Sequence, residues 1–146
     1  MDDKQLDAFA ATLRGEFITR SSAGYDEARS LYNAMIDKRP LAIARCADVG
    51  DVIACVNFAR DSELPVAIRG GGHNGPGLGS VDNGLVIDLS TMRGIRVDPK
   101  NQTVRVGPGC TTGDVDHATH AFGVAVPFGI ISTTGVAGLT LSGGHG

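Results

Sequence analysis

The sequence predicts an α+β domain built around a strand–helix–strand unit, with a ligand loop where the second of those strands ends. Three observations support this. Short apolar runs alternate with helical spacing between residues 40 and 90. A strand pair and another helix follow between residues 95 and 123. Glycines crowd the second half: of 21, only Gly15, Gly24 and Gly50 precede Gly70. The first half therefore reads as scaffold and the second as a surface shaped for a ligand.

The elements follow in order. Leu6, Phe9 and Leu13 recur at helical spacing and predict a short amphipathic helix over residues 3–14. Tyr25, Ala28 and Tyr32 predict another over 25–35. "RPLAIARC" reads as a strand after a proline, and Asp48 is placed to cap a helix whose Val52, Val56 and Ala59 share one face. "LPVAIRG" is the next strand and completes a βαβ unit, whose carboxyl end is where ligands bind in open α/β sheets. "GLVIDLS", residues 84–90, is a third strand. "IRVDP" and "TVRVGPG" flank a polar turn at Lys100 and Asn101 and predict an antiparallel hairpin. Thr111 and Asp114 have capping-box spacing ahead of a helix with Val115, Ala118 and Phe122 on one face, and Gly123 suits its end. "VAVPFG" reads as a further strand. The chain then runs into a second glycine-rich stretch, "GIISTTGVAGLTLSGGHG", and is read as the front piece of a longer protein.

Composition narrows the function. A length of 146 residues fits one domain with a real core, and 42% hydrophobic with 20% charged residues is globular. The net charge is −3 and no basic run occurs, which argues against nucleic acid or an anionic membrane as partner. Cys46, Cys55 and Cys110 are an odd number without CxxC spacing, so neither a disulfide framework nor a zinc finger is expected, and a reducing, cytoplasmic setting follows. "MDDKQL" is acidic and polar, unlike a secretory leader, and no apolar run is long enough to span a bilayer.

The candidate site is "VAIRGGGHNGPGLGS", residues 66–80. A loop this rich in glycine is costly to order, and a strand-to-loop turn of this kind exposes amides suited to phosphate. Two phosphate motifs do not match. A Walker loop needs Gly-Lys followed by a hydroxyl residue, and a dinucleotide fingerprint needs GxGxxG opening a helix. Here Gly75, Gly77 and Gly79 are spaced GxGxG and a strand follows.

Arg69-Gly70-Gly71-Gly72-His73-Asn74, with "VIDLSTMRGIRVDP", "VRVGPGCTTGDV", "YDEARSLYN" and "STTGVAGLTLSGGHG", resembles the flavin-binding domain of berberine bridge enzyme-like oxidases, in the wider vanillyl-alcohol oxidase family. The resemblance runs over about residues 15–146. It implies a PCMH-type FAD-binding fold of two α/β subdomains, the second incomplete, in residues 37–146, behind a helical lead-in of residues 1–36. It implies FAD as cofactor, with Gly70, Gly71 and Gly72 facing the pyrophosphate and His73 bonded to the flavin 8α-methyl group. Thr133, Thr134, Gly135 and Gly138 would lie along the isoalloxazine or ribityl chain, and Gly143, Gly144 and Gly146 would continue that wall. Arg69, Asn74, Gly79 and Ser142 complete the implied set. Many relatives carry a second, cysteine link in "GxCPTxG"; here the stretch is "GIISTTG", with Ile131 at that position, so a single link is expected. The implied activity is hydride transfer from a small organic substrate to FAD, with dioxygen or another acceptor taking the electrons; Thr134 sits near where relatives control oxygen access. The alternatives are a catalytically incomplete FAD-binding or interaction piece, and a nicotinamide-dependent flavin reductase, against which His73 argues.

The remaining polar residues read as structural. Asp116, His117 and His120 have metal-compatible spacing but fit a solvated helix face. Cys46 and Cys55 read as core, Cys110 as core by default or as lining the flavin region, Asp88 as a hydrogen-bond partner, and His145 either as approaching the flavin or as a frayed terminal residue. Arg69 on its own reads as a loop anchor.

Overall fold

The computed structural model describes residues 3–144. The first helix, α1 (Asp3–Ala10), ends sooner than its spacing predicts, in a turn where Thr12 N and Thr12 Oγ1 both bond the Phe9 carbonyl. Leu6 and Phe9 are its buried residues. Strand β1 (Glu16–Thr19) follows, then α2 (Tyr25–Arg29), which stops where Ser30 turns extended (φ −64°, ψ 143°). The expected helix over 25–35 is thus a single short turn region, and Tyr32 lies outside it.

Strands β2 (Ala42–Arg45) and β3 (Val66–Arg69) flank α3 (Val49–Asp61) as expected. They are not neighbours. Strand β4 (Leu85–Asp88) inserts between them and pairs parallel with both, so Ala42 and Val66 each face Leu85. Strand β1 adds antiparallel to β2 and completes the order β1-β2-β4-β3. All four residues of β4 are buried, as a central parallel strand covered on both faces requires.

Each face has its own core. On one, Phe9 of α1 and Cys55 and Ala59 of α3 pack over Ala42, Ala44, Leu85 and Ile87. Phe9 also stacks on Phe58, ring centroids 3.9 Å apart. On the other, Tyr25 and Ala28 of α2 cover Ile18, Ile43, Ala67 and Val86. Cys46 and Cys55 meet in the first core with sulfurs 4.0 Å apart. The neighbouring thiol and burial push Cys46 up, and burial pushes Cys110 up, so Cys46 and Cys110 stay protonated packing groups.

The second half builds a smaller lobe. The hairpin forms as expected from β5 (Ile95–Asp98) and β6 (Thr103–Val106), with Ile95 opposite Val106. Asp98 accepts hydrogen bonds from the Asn101 amide and side chain, and Gln102 takes a left-handed φ of 51° to close the turn. Helix α4 (Thr112–His120) carries the capping box between Thr111 and Asp114, and Gly123 has a φ of 66° beyond its end. Val115 is buried on α4, but Phe122 is 52% exposed and Thr112 and Thr119 take the inner positions. A threonine tolerates burial there because Thr119 Oγ1 donates to the Val115 carbonyl. "VAVPFG" forms no strand: Val126 and Phe128 pack against Cys110, Val115 and Val136, but the segment has no ladder partner among the described residues. The last element among the described residues is α5 (Val136–Ser142). No described helix is long and apolar enough to cross a membrane.

Asp51 ties the N-terminal strand to this frame. Its buried carboxylate accepts from the amides of Arg14, Gly15 and Ala47 at 2.9, 3.0 and 2.8 Å. Burial opposes its ionisation, but those three amides prevail and hold its carboxyl below the ordinary range. Asp51→Ala is expected to cost about 3 kcal/mol in urea unfolding at neutral pH, because three amides in part-buried hydrogen bonds lose a charged acceptor. A depressed carboxylate stabilises the fold above its unfolded pKa, and that contribution fades as pH falls through the folded value. The gap between wild type and variant should therefore shrink below about pH 4. A gap that stays constant down to pH 3 would refute the role of the ionised carboxylate.

Candidate functional site

Strands β3 and β4 end side by side, with Arg69 in register with Asp88. Arg69 Nη2 donates to Asp88 Oδ2 at 2.7 Å, both side chains buried. The other carboxylate oxygen accepts from the Ser90 amide at 2.9 Å, and the Leu89 amide donates to the Arg69 carbonyl. Asp88 is thus the structural partner its context suggested. Arg69 is an anchor, but not only that: its Nη1 is buried and has no hydrogen-bond partner among the described residues, and nor does Ser80 Oγ. Arg69 lines a cleft of about 240 Å³ together with Tyr32, Arg45, Gly70, Gly71, Gly72 and Ser90.

The loop leaving Arg69 is shaped by its own residues. Gly72 and Gly77 have φ of 70° and 75°, which only glycine adopts without strain, and a Cβ at Gly77 would lie 2.6 Å from Ile36 Cγ2. Asn74 organises the turn: its carbonyl accepts from Gly77 N and its Oδ1 from Leu78 N. Gly79 is buried beside the Arg69 side chain, where a Cβ would make ordinary contact.

The second glycine loop meets the first. A Cβ on Gly71 would lie 2.4 Å from Gly135 N, and one on Gly135 would lie 2.3 Å from Gly71 N. The two backbones touch. Next to this contact His73 Nε2 and Thr133 Oγ1 share a 2.9 Å hydrogen bond. The His73 ring stacks on Tyr32, centroids 3.9 Å apart and planes 18° from parallel. Tyr32 is a site residue that helical spacing hid, because it was placed on a helix face with Tyr25 and Ala28. Thr134 is half-buried, with its carbonyl accepting from Thr112 N.

The structure therefore brings Arg69, Gly70, Gly71, Gly72 and His73 together with Thr133 and Gly135. It leaves the later residues apart from that junction. Gly138 faces open space, and Ser142, Gly143 and Gly144 sit exposed at the end of α5, where Gly143 N bonds back to Leu139. His145 and Gly146 lie outside the described residues. His117 and His120 are exposed on α4.

A family model described as an FAD binding domain matches residues 40–146. An FAD-linked oxidoreductase of Dictyostelium discoideum is 37% identical over 143 residues, covering 97% of this chain and 31% of the relative. The (R)-6-hydroxynicotine oxidase of Paenarthrobacter nicotinovorans is 36% identical over 135 residues, covering 92% of this chain and 30% of the enzyme. Among solved structures, 6-hydroxy-D-nicotine oxidase from Arthrobacter nicotinovorans matches with a TM-score of 0.85 at 35% identity, over 87% of this chain and 28% of that one. The berberine bridge enzyme-like protein 1 of Physcomitrella patens matches with a TM-score of 0.87 at 27% identity, over 93% of this chain and 30% of that one. The chain spans about three tenths of the length of the curated relatives it matches.

The loop contact sets a steric prediction. Gly71→Ala drives a methyl group into the Gly135 backbone, whereas Gly75→Ala enters open space. The first is expected to destabilise by more than about 2 kcal/mol and the second to stay within about 1 kcal/mol of wild type, in either direction. Paired chemical denaturation curves check this, and equal effects from the two substitutions would contradict the backbone contact.

Proposed function

The chain belongs to the FAD binding domain family, with the PCMH-type fold of berberine bridge enzyme-like FAD-linked oxidases, and on that premise we propose that it is the cofactor-holding part of an oxidoreductase acting on a small organic molecule. The observation that carries this is the buried, unpaired Arg69 Nη1 at a glycine-lined cleft. A buried guanidinium donor without a partner is costly, and an anionic ligand oxygen would satisfy it. The diphosphate of FAD supplies such an oxygen, so the residues present fit the group.

Residues 37–146 form the cofactor part in this reading, behind the lead-in of 1–36. Arg69 and the amides of Gly70, Gly71 and Gly72 hold the diphosphate, within a loop that Asn74 and Gly79 shape. Thr133, Thr134, Gly135 and Gly138 border the ring system and its ribityl chain, and Ser142, Gly143, Gly144 and Gly146 extend that border. FAD, when bound, supplies hydride acceptance from the substrate and passes the electrons to dioxygen or another acceptor. His73 is the covalent attachment residue. Because Thr133 engages Nε2, the link is assigned to Nδ1. Attachment fixes the cofactor in place and raises its potential, which favours hydride abstraction from a reluctant donor. Ile131 offers no thiol for a second link.

The relative named for (R)-6-hydroxynicotine makes compact amines the first substrate class to screen, followed by alcohols. Three free thiols suit the cytoplasm. The intact mass of the protein isolated from its own cells tests the assignment. Wild type should carry one FAD that survives denaturation, and His73→Ala should lack it while the fold persists. A wild-type mass without the adduct overturns the covalent assignment. An adduct that persists in His73→Ala moves it to another residue.

A further inference from the structure

We propose that Tyr32 and Thr133 are positioning residues for flavin attachment: they fix the plane and the tautomer of the His73 ring before the bond forms. The proposal rests on His73 being the attachment residue. The geometry is that three separate chain segments converge on one imidazole. Tyr32, from the segment after α2, lies face to face with it. Thr133, from the loop before α5, holds Nε2. The imidazole itself stands on the loop after β3, and that loop is tied back to the Tyr32 segment twice. Tyr32 N donates to the Gly72 carbonyl, and Asn33 Nδ2 donates to the Gly75 carbonyl.

The two contacts do different work. Stacking removes rotation of the ring out of its plane, so a nucleophilic nitrogen is presented in one direction only. Well-oriented reactants of this kind gain large rate factors over free ones. The hydrogen bond selects the tautomer. A neutral imidazole has one N–H and one lone pair. If the Thr133 hydroxyl accepts from Nε2–H, the lone pair is at Nδ1, where attachment is assigned.

A hydroxyl also suits the product. Attachment forms one N–C bond, at Nδ1, and breaks one C–H bond of the 8α-methyl group. The methyl proton and the Nε2 proton leave. The two electrons released pass through the flavin to dioxygen, which takes up two protons and becomes hydrogen peroxide. Nε2 is then a bare acceptor. The Thr133 hydroxyl answers by donating where it had accepted, so the hydrogen bond outlasts the reaction with its polarity reversed. A serine hydroxyl does the same, whereas the isosteric methyl of valine does neither. Tyr32 is 64% exposed, so its ring is not needed for the core and its replacement tests orientation rather than folding.

The experiment is to express the protein in full length with each substitution and follow covalent FAD over time by gel fluorescence after denaturation, with total bound FAD measured in parallel. Tyr32→Ala and Thr133→Val should each slow covalent incorporation roughly tenfold or more, read as the covalent share of the FAD bound, while melting temperature stays near wild type. Tyr32→Phe and Thr133→Ser should restore the wild-type rate. Incorporation at the wild-type rate in both Tyr32→Ala and Thr133→Val overturns the positioning role while leaving His73 as the attachment residue. A parallel fall of total FAD, unrescued by Tyr32→Phe or Thr133→Ser, also overturns it, in favour of a purely structural role. Wild-type protein without covalent FAD removes the attachment reading and this inference with it.

Discussion

The backbones of Gly71 and Gly135 touch, and the arrangement of the site depends on that contact. One residue belongs to the loop leaving the four-stranded sheet, and the other caps α5 in the smaller lobe. No side chain fits between them, since a Cβ on either would fall inside the other's amide. The second loop has little freedom to move away. Thr112 N and Gly113 N donate to the carbonyls of Thr134 and Ser132, Thr112 Oγ1 to that of Ile131, and Val136 N to that of Cys110. The loop is thus clamped to the start of α4. Its contact with Gly71 sets the distance at which Thr133 meets His73.

The other side of the junction is held by the buried pair of Arg69 and Asp88. Such a pair is weak evidence for stability by itself. Removing two charges from water costs several kcal/mol per ion, and an apolar pair of similar volume often serves as well or better. The guanidinium does something an apolar residue cannot: it spends Nη2 on Asp88 and keeps Nη1 without a hydrogen-bond partner among the described residues. Asp88 accepts at both oxygens and is itself fixed by the Ser90 amide. The pair therefore holds a donor in a set direction at the root of the glycine loop, which makes sense where an anion is to be met.

Local signals made much of this legible in the sequence. Asp48 caps α3, Thr111 and Asp114 form their box, the hairpin closes after Asn101, and Gly123 takes a left-handed φ, each because the chemistry lies within four residues. The resemblance carried by Arg69 to Asn74 gave the fold and the cofactor class. What stayed hidden was non-local. Strand β1 is no shorter than the others, but it lies at the sheet edge with Ile18 its one buried residue, and EFIT carries no apolar run longer than two residues. The insertion of β4 between β2 and β3 leaves no mark on either strand. "VAVPFG" alternates like a strand, yet its alternation serves packing by Val126 and Phe128. Gly71 reads as a phosphate glycine, and nothing near it in sequence announces Gly135. Tyr32 is hidden for a similar reason: its spacing from Tyr25 and Ala28 is helical, but α2 ends at Arg29 and the aromatic ring goes to His73.

These non-local contacts also explain how a loop with so much glycine keeps a histidine in place. Glycine-rich segments lose more conformational entropy on ordering than any other kind, and that loss would ordinarily fall due when a ligand arrives. Here the ordering is done by the protein. Left-handed turns at Gly72 and Gly77, the Asn74 turn, the Gly71–Gly135 contact and the two ring contacts of His73 each remove part of the freedom in advance. A site ordered in this way binds with less loss of entropy and presents a reactive nitrogen in one pose. Glycine is then needed for two opposite properties at adjacent residues: close approach of backbones at Gly71, and a fixed left-handed turn at Gly72 that delivers His73 to its partners. The flexibility suggested by composition is used up in geometry before any cofactor is met.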